Sequence, residues 1–127
     1  MIGENDMHYH NLYASADGES HWRTVEVPLE ERTFAPPAKA IFVSEVEAAK
    51  TTVFLRLDPG WDEPIHPTPK RQTLFCLGGA VRVTASDGEA REICKGDVWR
   101  MEDTHGKGHH TAVISKGPFE AALVQFD

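Results

Sequence analysis

The chain has 127 residues, of which 40% are hydrophobic and 26% charged, an ordinary composition for one globular domain with a single core. Its formal net charge of −7, with no Lys/Arg stripe, argues against nucleic acid and against an anionic membrane surface as partners. No apolar run approaches the roughly 20 residues that span a bilayer, and the acidic start lacks a signal core, so we expect a cytoplasmic protein.

The first part of the chain, residues 1–50, is predicted to be an extension with short strands that belongs to the same domain as the rest. Strands are expected over residues 22–27 and 41–43, where β-forming side chains are concentrated. Residues 30–37 are expected to form an extended loop, because neither of its two prolines can donate to a β-ladder. Residues 45–50 have the composition of one helical turn, which is too short to be stable alone.

Residues 51–127 are predicted to form the core, because short β-like runs recur there about every ten residues. The predicted strands cover residues 51–57, 73–77, 80–85, 91–94, 98–101, 111–115 and 121–126. Turn residues separate these runs, including an Asp87-Gly88 pair that favours a tight hairpin. Since no amphipathic helix lies between them, the pattern predicts an all-β sandwich or barrel.

The two cysteines, Cys76 and Cys94, each lie inside one of these short apolar runs. Such positions are typical of buried free thiols rather than of a disulfide framework. This agrees with a reducing compartment.

Two polar motifs interrupt the predicted strands. In the first, Gly60 is followed after five residues by His66, which precedes a proline, and the motif ends on Arg71-Gln72. In the second, a strand opened by Gly96-Asp97 is followed by Asp103-Thr-His-Gly-Lys-Gly-His109. The glycines of that second loop permit the backbone conformations that a tight re-entry into a strand requires.

These two motifs resemble the two conserved motifs of cupins, and the match covers about residues 51 to 126. The combination of His-Pro-x-Pro-x-Arg-Gln with Asp-Thr-x-Gly-Lys-Gly-His is similar to a subfamily of small single-domain bacterial cupins. The resemblance implies a cupin double-stranded β-helix, that is, a jelly-roll barrel. The chain departs from the cupin pattern, because Thr68 occupies the second histidine position, Gln72 occupies the glutamate position, and the last histidine arrives two residues late.

The strand that follows the first motif predicts which side chains face the barrel interior. Residues two apart on a strand share a face, so an inward Gln72 implies an inward Leu74 and an inward Cys76. Gln72 would then lie at the barrel mouth above an apolar floor. His66, which is flanked by prolines, and His109, which precedes a strand, are expected to converge on the same mouth.

The expected ligand pocket consists of His66, Gln72, Cys76, Asp103 and His109. Two imidazoles and an amide oxygen are suitable ligands for Zn, Fe, Mn or Ni, so His66, Gln72 and His109 are the predicted metal ligands. The missing carboxylate weakens such a site, and a metal-free pocket stays open as an alternative. Asp103 is expected either to stabilise its own loop or to orient a histidine as a carboxylate behind the site.

Two functions are compatible with this pocket. The first is an enzyme acting on a small molecule of unknown identity, with or without a metal. The second is a cupin that binds a small metabolite without converting it. The resemblance also implies a homodimer, in which the front segment adds to the sheet edge of a partner.

Overall fold

A computed structural model describes residues 6–33 and 35–127, which form eleven β-strands and contain no helix. The strands are β1 (His8–Ala14), β2 (Ser20–Glu26), β3 (Glu30–Arg32), β4 (Ile41–Val43), β5 (Thr51–Leu57), β6 (Gln72–Gly78), β7 (Ala80–Ala85), β8 (Ala90–Cys94), β9 (Val98–Glu102), β10 (His109–Val113) and β11 (Phe119–Gln125). No helix in this part of the chain is long and apolar enough to cross a membrane. The predicted all-β class is confirmed.

The strands form two main sheets that enclose one core. The larger sheet has six strands in the order β2-β1-β9-β6-β11-β5, and the smaller has three in the order β10-β7-β8. Neighbouring strands are antiparallel except for β1 and β9, which run parallel. Buried side chains from both sheets make one apolar cluster, which includes Leu74, Trp99 and Leu123 from the larger sheet and Val81 and Ile93 from the smaller.

Alternation along β6 fixes which side chains face this core. Gln72, Leu74 and Cys76 are 5%, 3% and 4% exposed, whereas Phe75 and Leu77 are 40% and 53% exposed. The even-numbered residues therefore point inward, as the period of two predicts. The odd-numbered residues lie on the outer face of the larger sheet.

A segment that we call the arm, residues 28–33 and 35–50, lies outside both main sheets. Within the described part of the chain, its two strands, β3 and β4, pair only with each other, in an antiparallel hairpin. The arm rejoins the larger sheet where the Lys50 amide donates to the Gln125 carbonyl at 2.9 Å. An ion pair of 2.7 Å between Glu47 on the arm and Arg100 on β9 makes a second attachment.

The sequence predictions for the front segment were partly wrong. Residues 45–50 form no helical turn, and residues 30–32, expected to be loop, form β3. β1 was not predicted at all. The acidic start, residues 1–5, and residue 34 of the predicted loop lie outside the described residues.

The prediction for the second cysteine was also wrong. Cys94 is exposed, whereas Cys76 is buried as expected, and both are free thiols. Cys94 is the last residue of β8, an edge strand, and burial along β8 is confined to Ile93. The apolar run at the end of β8 therefore buries Ile93 and leaves Cys94 exposed, although both side chains were expected to be buried.

Candidate functional site

The loop that carries His66 pairs with the strand that begins at His109. The two residues exchange backbone hydrogen bonds, His66 N–H to His109 O at 3.2 Å and His109 N–H to His66 O at 3.0 Å. A second bridge between Asp62 and Ala112 continues this antiparallel pairing. As a result, the centroids of the two imidazole rings lie 5.6 Å apart. The structure thus brings together the two histidines that the motifs singled out.

Gly108 makes this approach possible. Its φ of +77° lies in the left-handed region, and a Cβ placed on it would lie 2.1 Å from His66 C and 2.3 Å from Pro67 N. A side chain at this position would therefore be strained by its backbone conformation and would also collide with the histidine loop. The last glycine of the second motif is needed to bring His109 beside His66.

The β1–β2 turn supports the other side of the same loop. Gly106, with φ +83°, packs so closely that an added Cβ would lie 2.3 Å from Gly18 O. The Lys107 amide donates to Gly18 O at 2.9 Å, and the Ser20 hydroxyl donates to Gly108 O at 2.7 Å. These contacts join the turn at Asp17-Gly-Glu-Ser20 to the Gly106-Lys-Gly-His109 motif.

Asp103 holds His109 from inside the protein. Its Oδ2 lies 2.6 Å from His109 Nδ1, and its Oδ1 accepts the Thr68 hydroxyl at 2.7 Å. Asp103, Thr68 and His109 are only 0%, 1% and 2% exposed. Because a carboxylate only accepts, Nδ1 carries the proton and Nε2 of the neutral ring keeps its lone pair. Asp103 therefore orients His109, one of the two roles expected of it.

Thr68 therefore has a defined role at the position where cupins have their second histidine. Besides the hydroxyl bond, its amide donates to the Asp103 carbonyl at 3.0 Å. The residue thus supports the carboxylate behind His109 and has no side-chain nitrogen that could serve as a ligand.

Nε2 of His109 has no hydrogen-bond partner among residues 6–33 and 35–127. The edge-on ring of Trp99 lies 5.5 Å from the His109 ring, between centroids. Trp99 was not predicted as a site residue, because its position in an apolar strand is typical of the core.

His66 is more exposed than His109, with 45% of its side chain accessible. Its Nδ1 lies 2.8 Å from the Pro67 carbonyl, and its Nε2 contacts the Glu63 carboxylate. The Pro67 carbonyl, and after it the Glu63 carboxylate, raise the pKa of His66 above its ordinary value of 6.5, because both stabilise the protonated ring. Glu63 was missed by the sequence analysis, although it lies only three residues before His66.

Gln72 lies at the start of β6, inside the barrel, and both ends of its amide are bonded. Its Oε1 accepts from Gln125 Nε2 at 2.9 Å, and its Nε2 donates to the Met101 sulfur at 3.4 Å. A third contact extends this chain, since the Thr51 hydroxyl donates to Gln125 Oε1 at 2.7 Å. The amide thus crosslinks three neighbouring strands.

Cys76 lies four residues beyond Gln72, about 13 Å further along the strand. It belongs to the apolar core cluster, and its sulfur contacts the Gly78 and Gly79 carbonyls at 3.6 and 3.7 Å. Burial raises the pKa of the Cys76 thiol, so the neutral form is stabilised. These contacts place Cys76 in the floor of the barrel.

The predicted metal ligands fit a metal poorly as they are arranged. Among the described residues, no group of three or more His, Cys, Asp or Glu side chains is placed to hold a metal ion. Both nitrogens of His66 contact oxygen acceptors, and the carbonyl oxygen of Gln72 is already bonded. Only His109 Nε2 offers an unshared ligand atom. The metal site stays a prediction.

Two other histidines close to His109 in sequence, His105 and His110, are also bonded elsewhere. His105 Nε2 lies 3.3 Å from the Ser15 carbonyl, on the β1–β2 turn. His110 Nε2 lies 2.7 Å from Asp62 Oδ1. Both are thus bonded to groups outside the expected ligand set.

Comparison with known proteins identifies the fold. No family model matches the chain, and no curated protein matches its sequence. Among solved structures, a Cupin 2 conserved barrel domain protein from Salinispora arenicola is 18% identical with a TM-score of 0.50, covering 80% of this chain and 76% of that chain. A cupin domain from Bordetella pertussis is 12% identical with a TM-score of 0.49, covering 80% and 95%.

The cupin domain of Schizosaccharomyces pombe Cnp3 is 14% identical with a TM-score of 0.49, covering 98% of this chain and 86% of that chain. At such identities a likeness establishes the fold and leaves function open. Together with the two sheets and the position of the histidine motifs, the Salinispora match shows that the chain has the cupin fold. The predicted jelly-roll barrel is confirmed.

Proposed function

We propose that this cupin is a small-molecule enzyme that transfers protons through His109, with His66 beside it. The observation that carries the proposal is the buried contact of 2.6 Å between His109 Nδ1 and Asp103 Oδ2, which leaves Nε2 unbonded among the described residues. A histidine whose second nitrogen is held by a buried carboxylate is the usual arrangement of a general base.

The proposed reaction begins at His109 Nε2. Its lone pair takes a proton from a carbon or oxygen atom of the substrate, and the imidazolium that forms is stabilised by the Asp103 carboxylate. Thr68 stabilises the ionised carboxylate through its hydroxyl at 2.7 Å. The electron pair of the broken C–H bond moves onto an adjacent substrate oxygen. In an isomerisation His109 Nε2 then returns the proton to a neighbouring carbon, and in an elimination a leaving group on that carbon departs with its electron pair instead. Asp103 is thus a positioning residue, since it acts through His109.

His66 supplies positive charge on the other side of the substrate. Its raised pKa increases the protonated fraction near neutral pH, because the Pro67 carbonyl and the Glu63 carboxylate both accept from the ring. A protonated His66, whose ring centroid is 5.6 Å from that of His109, can stabilise an oxyanion formed by deprotonation once its Nε2–H exchanges the Glu63 carboxylate for the substrate oxygen. The pair therefore suits isomerisation or elimination on a small polar metabolite.

Solvent deuterium incorporation tests this function without knowledge of the product. The protein is incubated in D₂O with a panel of small α-hydroxy and α-keto acids, ketoses and aldoses, and exchange of carbon-bound hydrogen is followed by NMR. Loss of His109 in a His109→Gln variant should slow exchange by about 10²- to 10⁴-fold, the usual contribution of a general base. His110→Gln is the matched control, because His110 is the adjacent residue and contacts Asp62 instead.

The Asp103→Asn variant distinguishes positioning from a purely structural role. An amide at this position can donate to Nδ1, which moves the proton of the neutral ring to Nε2 and removes the base. Exchange should fall and its pH profile should shift, while circular dichroism stays unchanged. If the wild-type protein exchanges no member of the panel, or if His109→Gln exchanges as fast as wild type, the proton-transfer function is wrong.

A second function is favoured by the state of Gln72. Both ends of its amide are bonded within the sheet. The side chain at the position of the cupin glutamate therefore links strands and has no free group for a metal or a substrate. This supports a cupin that binds a small metabolite without converting it. Tight binding of a compound from the panel that is recovered unchanged, with no deuterium incorporated, would favour this function.

Metal analysis tests the predicted metal dependence. Protein purified without a chelator is examined for Zn, Fe, Mn and Ni. A stoichiometric metal that disappears in a His66→Ala variant would support a metal enzyme, for which His66 and Gln72 would have to exchange their present partners for the ion. Protein without metal that still catalyses exchange would support the histidine pair acting alone.

We further propose a homodimer formed through the outer face of the larger sheet. The strand register places Phe54, Ala122, Phe75 and Val98 side by side in one apolar row across four strands. Phe54 and Phe75, together with Phe42 on the arm, are 74%, 40% and 65% exposed. At about 200 Å² for each full side chain, these three expose roughly 350 Å² of apolar surface.

That area, from three side chains, is in the range of the largest exposed patch on a monomer, about 300–600 Å², a kind of patch that is often functional. The arm hairpin supports a dimer more directly, because a two-stranded hairpin is marginally stable alone and its strands pair with nothing else among the described residues. The second copy is therefore the proposed occupant of this face.

Light scattering tests the dimer. The wild-type protein should have twice the mass of the 14.1 kDa chain, and Phe54→Ser should shift it toward the monomer. Ile65→Ser is the control, since Ile65 is 62% exposed but lies in the histidine loop. A monomeric wild-type protein would contradict the dimer. A cytoplasmic location stays a proposal alongside it, supported by the two free cysteines.

A further inference from the structure

A cavity of about 750 Å³ lies between the arm and the outer face of the larger sheet. It is separate from the barrel mouth, since neither His66 nor His109 lines it. A neighbouring cavity of about 520 Å³ shares several of its walls, among them Thr73 and Arg100. The volume is in the range of small-molecule sites, about 300–1,000 Å³.

Arg100 lines this cavity with a buried guanidinium that has unused hydrogen-bond donors. The residue is only 8% exposed. Its Nε donates to the Thr73 hydroxyl at 2.5 Å, and its Nη2 donates to Glu47 Oε1 at 2.7 Å. Its Nη1 donates to no residue within 6–33 and 35–127. A guanidinium has five N–H donors, so several remain for a guest in the cavity.

Aromatic rings hold the guanidinium in a fixed orientation. Its central carbon lies 4.7 Å from the centroid of the Tyr9 ring and 4.9 Å from that of Phe126. Such contacts stabilise the charge while leaving the edge of the guanidinium free to donate. The side chain is therefore already oriented before a ligand arrives.

The other residues that line the cavity are mainly apolar or charged. Its apolar lining includes Val25, Val27, Val43, Phe75 and Val98. Its other charged residues include Glu26, Glu45 and Glu30, and Glu30 forms an ion pair with Arg32, which also lines the cavity.

We infer that this cavity binds an uncharged, mainly apolar molecule that carries one hydrogen-bond-accepting oxygen. The oxygen accepts from Arg100 Nη1, and the apolar body lies against the valines and Phe75. A carboxylate is disfavoured, because Glu47 already neutralises Arg100, Arg32 is paired with Glu30, and Glu26 and Glu45 would repel a second anion.

Three matched probes test the chemistry of the site by calorimetry and ligand-observed NMR on the full chain. They are 2-acetonaphthone, 2-ethylnaphthalene and 2-naphthoate, which share the ring system and differ in the polar group. The ketone should bind at least roughly 10-fold more tightly than the hydrocarbon, because a hydrogen bond to a charged donor is gained. The naphthoate should bind more weakly than the ketone.

Variants locate the binding. Arg100→Met should abolish the preference for the ketone over the hydrocarbon, with Arg82→Met as control, since Arg82 lies on β7 and pairs at 4.0 Å with Glu92. Val43→Trp fills the cavity from the arm without touching the buried charge and should abolish binding of both probes. Phe54→Ser should bind the ketone as wild type does, because Phe54 belongs to the proposed dimer surface but does not line the cavity, whereas Phe75 and Val98 belong to both.

Several outcomes would overturn the inference. Equal affinity for ketone and hydrocarbon would remove the role of Arg100, and tighter binding of the naphthoate would contradict the assigned ligand class. Binding of the ketone that survives in Val43→Trp would place it elsewhere. A dimeric wild-type protein that binds none of the probes would show that the second copy fills the cavity.

Discussion

Replacing Gly108 by alanine should break the backbone pairing that holds His66 beside His109. At φ +77° a side chain costs about 1–2 kcal/mol for the left-handed backbone alone. The added Cβ would also lie 2.1–2.3 Å from three backbone atoms of His66 and Pro67, so the histidine loop must move, at about 1–3 kcal/mol. We therefore expect the free energy of unfolding to fall by about 2–5 kcal/mol.

Two other glycines separate the contributions. Gly88 has φ +96° with nothing within 4 Å of an added Cβ, so Gly88→Ala should show the backbone cost alone, about 1–2 kcal/mol. Gly117 has neither a left-handed φ nor a close neighbour, so Gly117→Ala should be near neutral. Urea unfolding measures all three, and Gly108→Ala should lower the midpoint by about 1–3 M at an unchanged slope.

The same variants provide the refutation. If Gly108→Ala costs no more than Gly88→Ala, the close approach of the two loops is not a real constraint. The deuterium exchange rate supplies an independent result, since Gly108→Ala should reduce it even under conditions where the protein stays folded. Unchanged exchange would mean that the proposed chemistry does not need the two rings side by side.

Two further predictions concern single side chains. The pKa of His66, raised by the Pro67 carbonyl and then by Glu63, should fall toward its ordinary value in Glu63→Gln, as followed by the ring signals in an NMR titration. Because the folded-state pKa is raised, protonated His66 should stabilise the fold fully below about pH 6.5, and this stabilisation should be lost as the pH rises through the folded-state pKa. A urea midpoint that does not change with pH over this window would contradict the prediction. For the thiols, exposed Cys94 should react rapidly with a thiol reagent, while buried Cys76, with its raised pKa, should react only on unfolding, so that Cys94→Ser removes the fast phase. Two fast thiols in the wild-type protein would show that the core around Cys76 opens readily.

The strands after residue 50 were predictable because their apolar residues alternate and turn residues bound them. Their ends were displaced by one or two residues, as for β10, which begins at His109 instead of residue 111. β1 was not predictable in the same way, because a sequence of histidines, tyrosines and an asparagine gives no clear period. Its place is fixed by parallel pairing with β9, which lies almost 90 residues further along the chain.

The two histidines of the site were predictable from their motifs, but their partners were not. Thr68 and Asp103 meet through a hydrogen bond between residues 35 apart in sequence, and no local pattern encodes that contact. Arg100 illustrates the same limit, since a charged residue alternating with apolar ones on a strand is expected to face water. It is buried because Glu47 of the arm, Tyr9 of β1 and Phe126 surround its guanidinium on the outer face of the sheet.

The contact between the glycine loop and the β1–β2 turn has a consequence for how the protein folds. The segments that meet there are separated by 88 residues, so the geometry around His109 cannot form until most of the chain has collapsed. Closing such a long loop is entropically costly and slow. During synthesis the first strands cannot make these contacts until the last third of the polypeptide has been made. The arrangement around His109 should therefore be among the last parts of the structure to form.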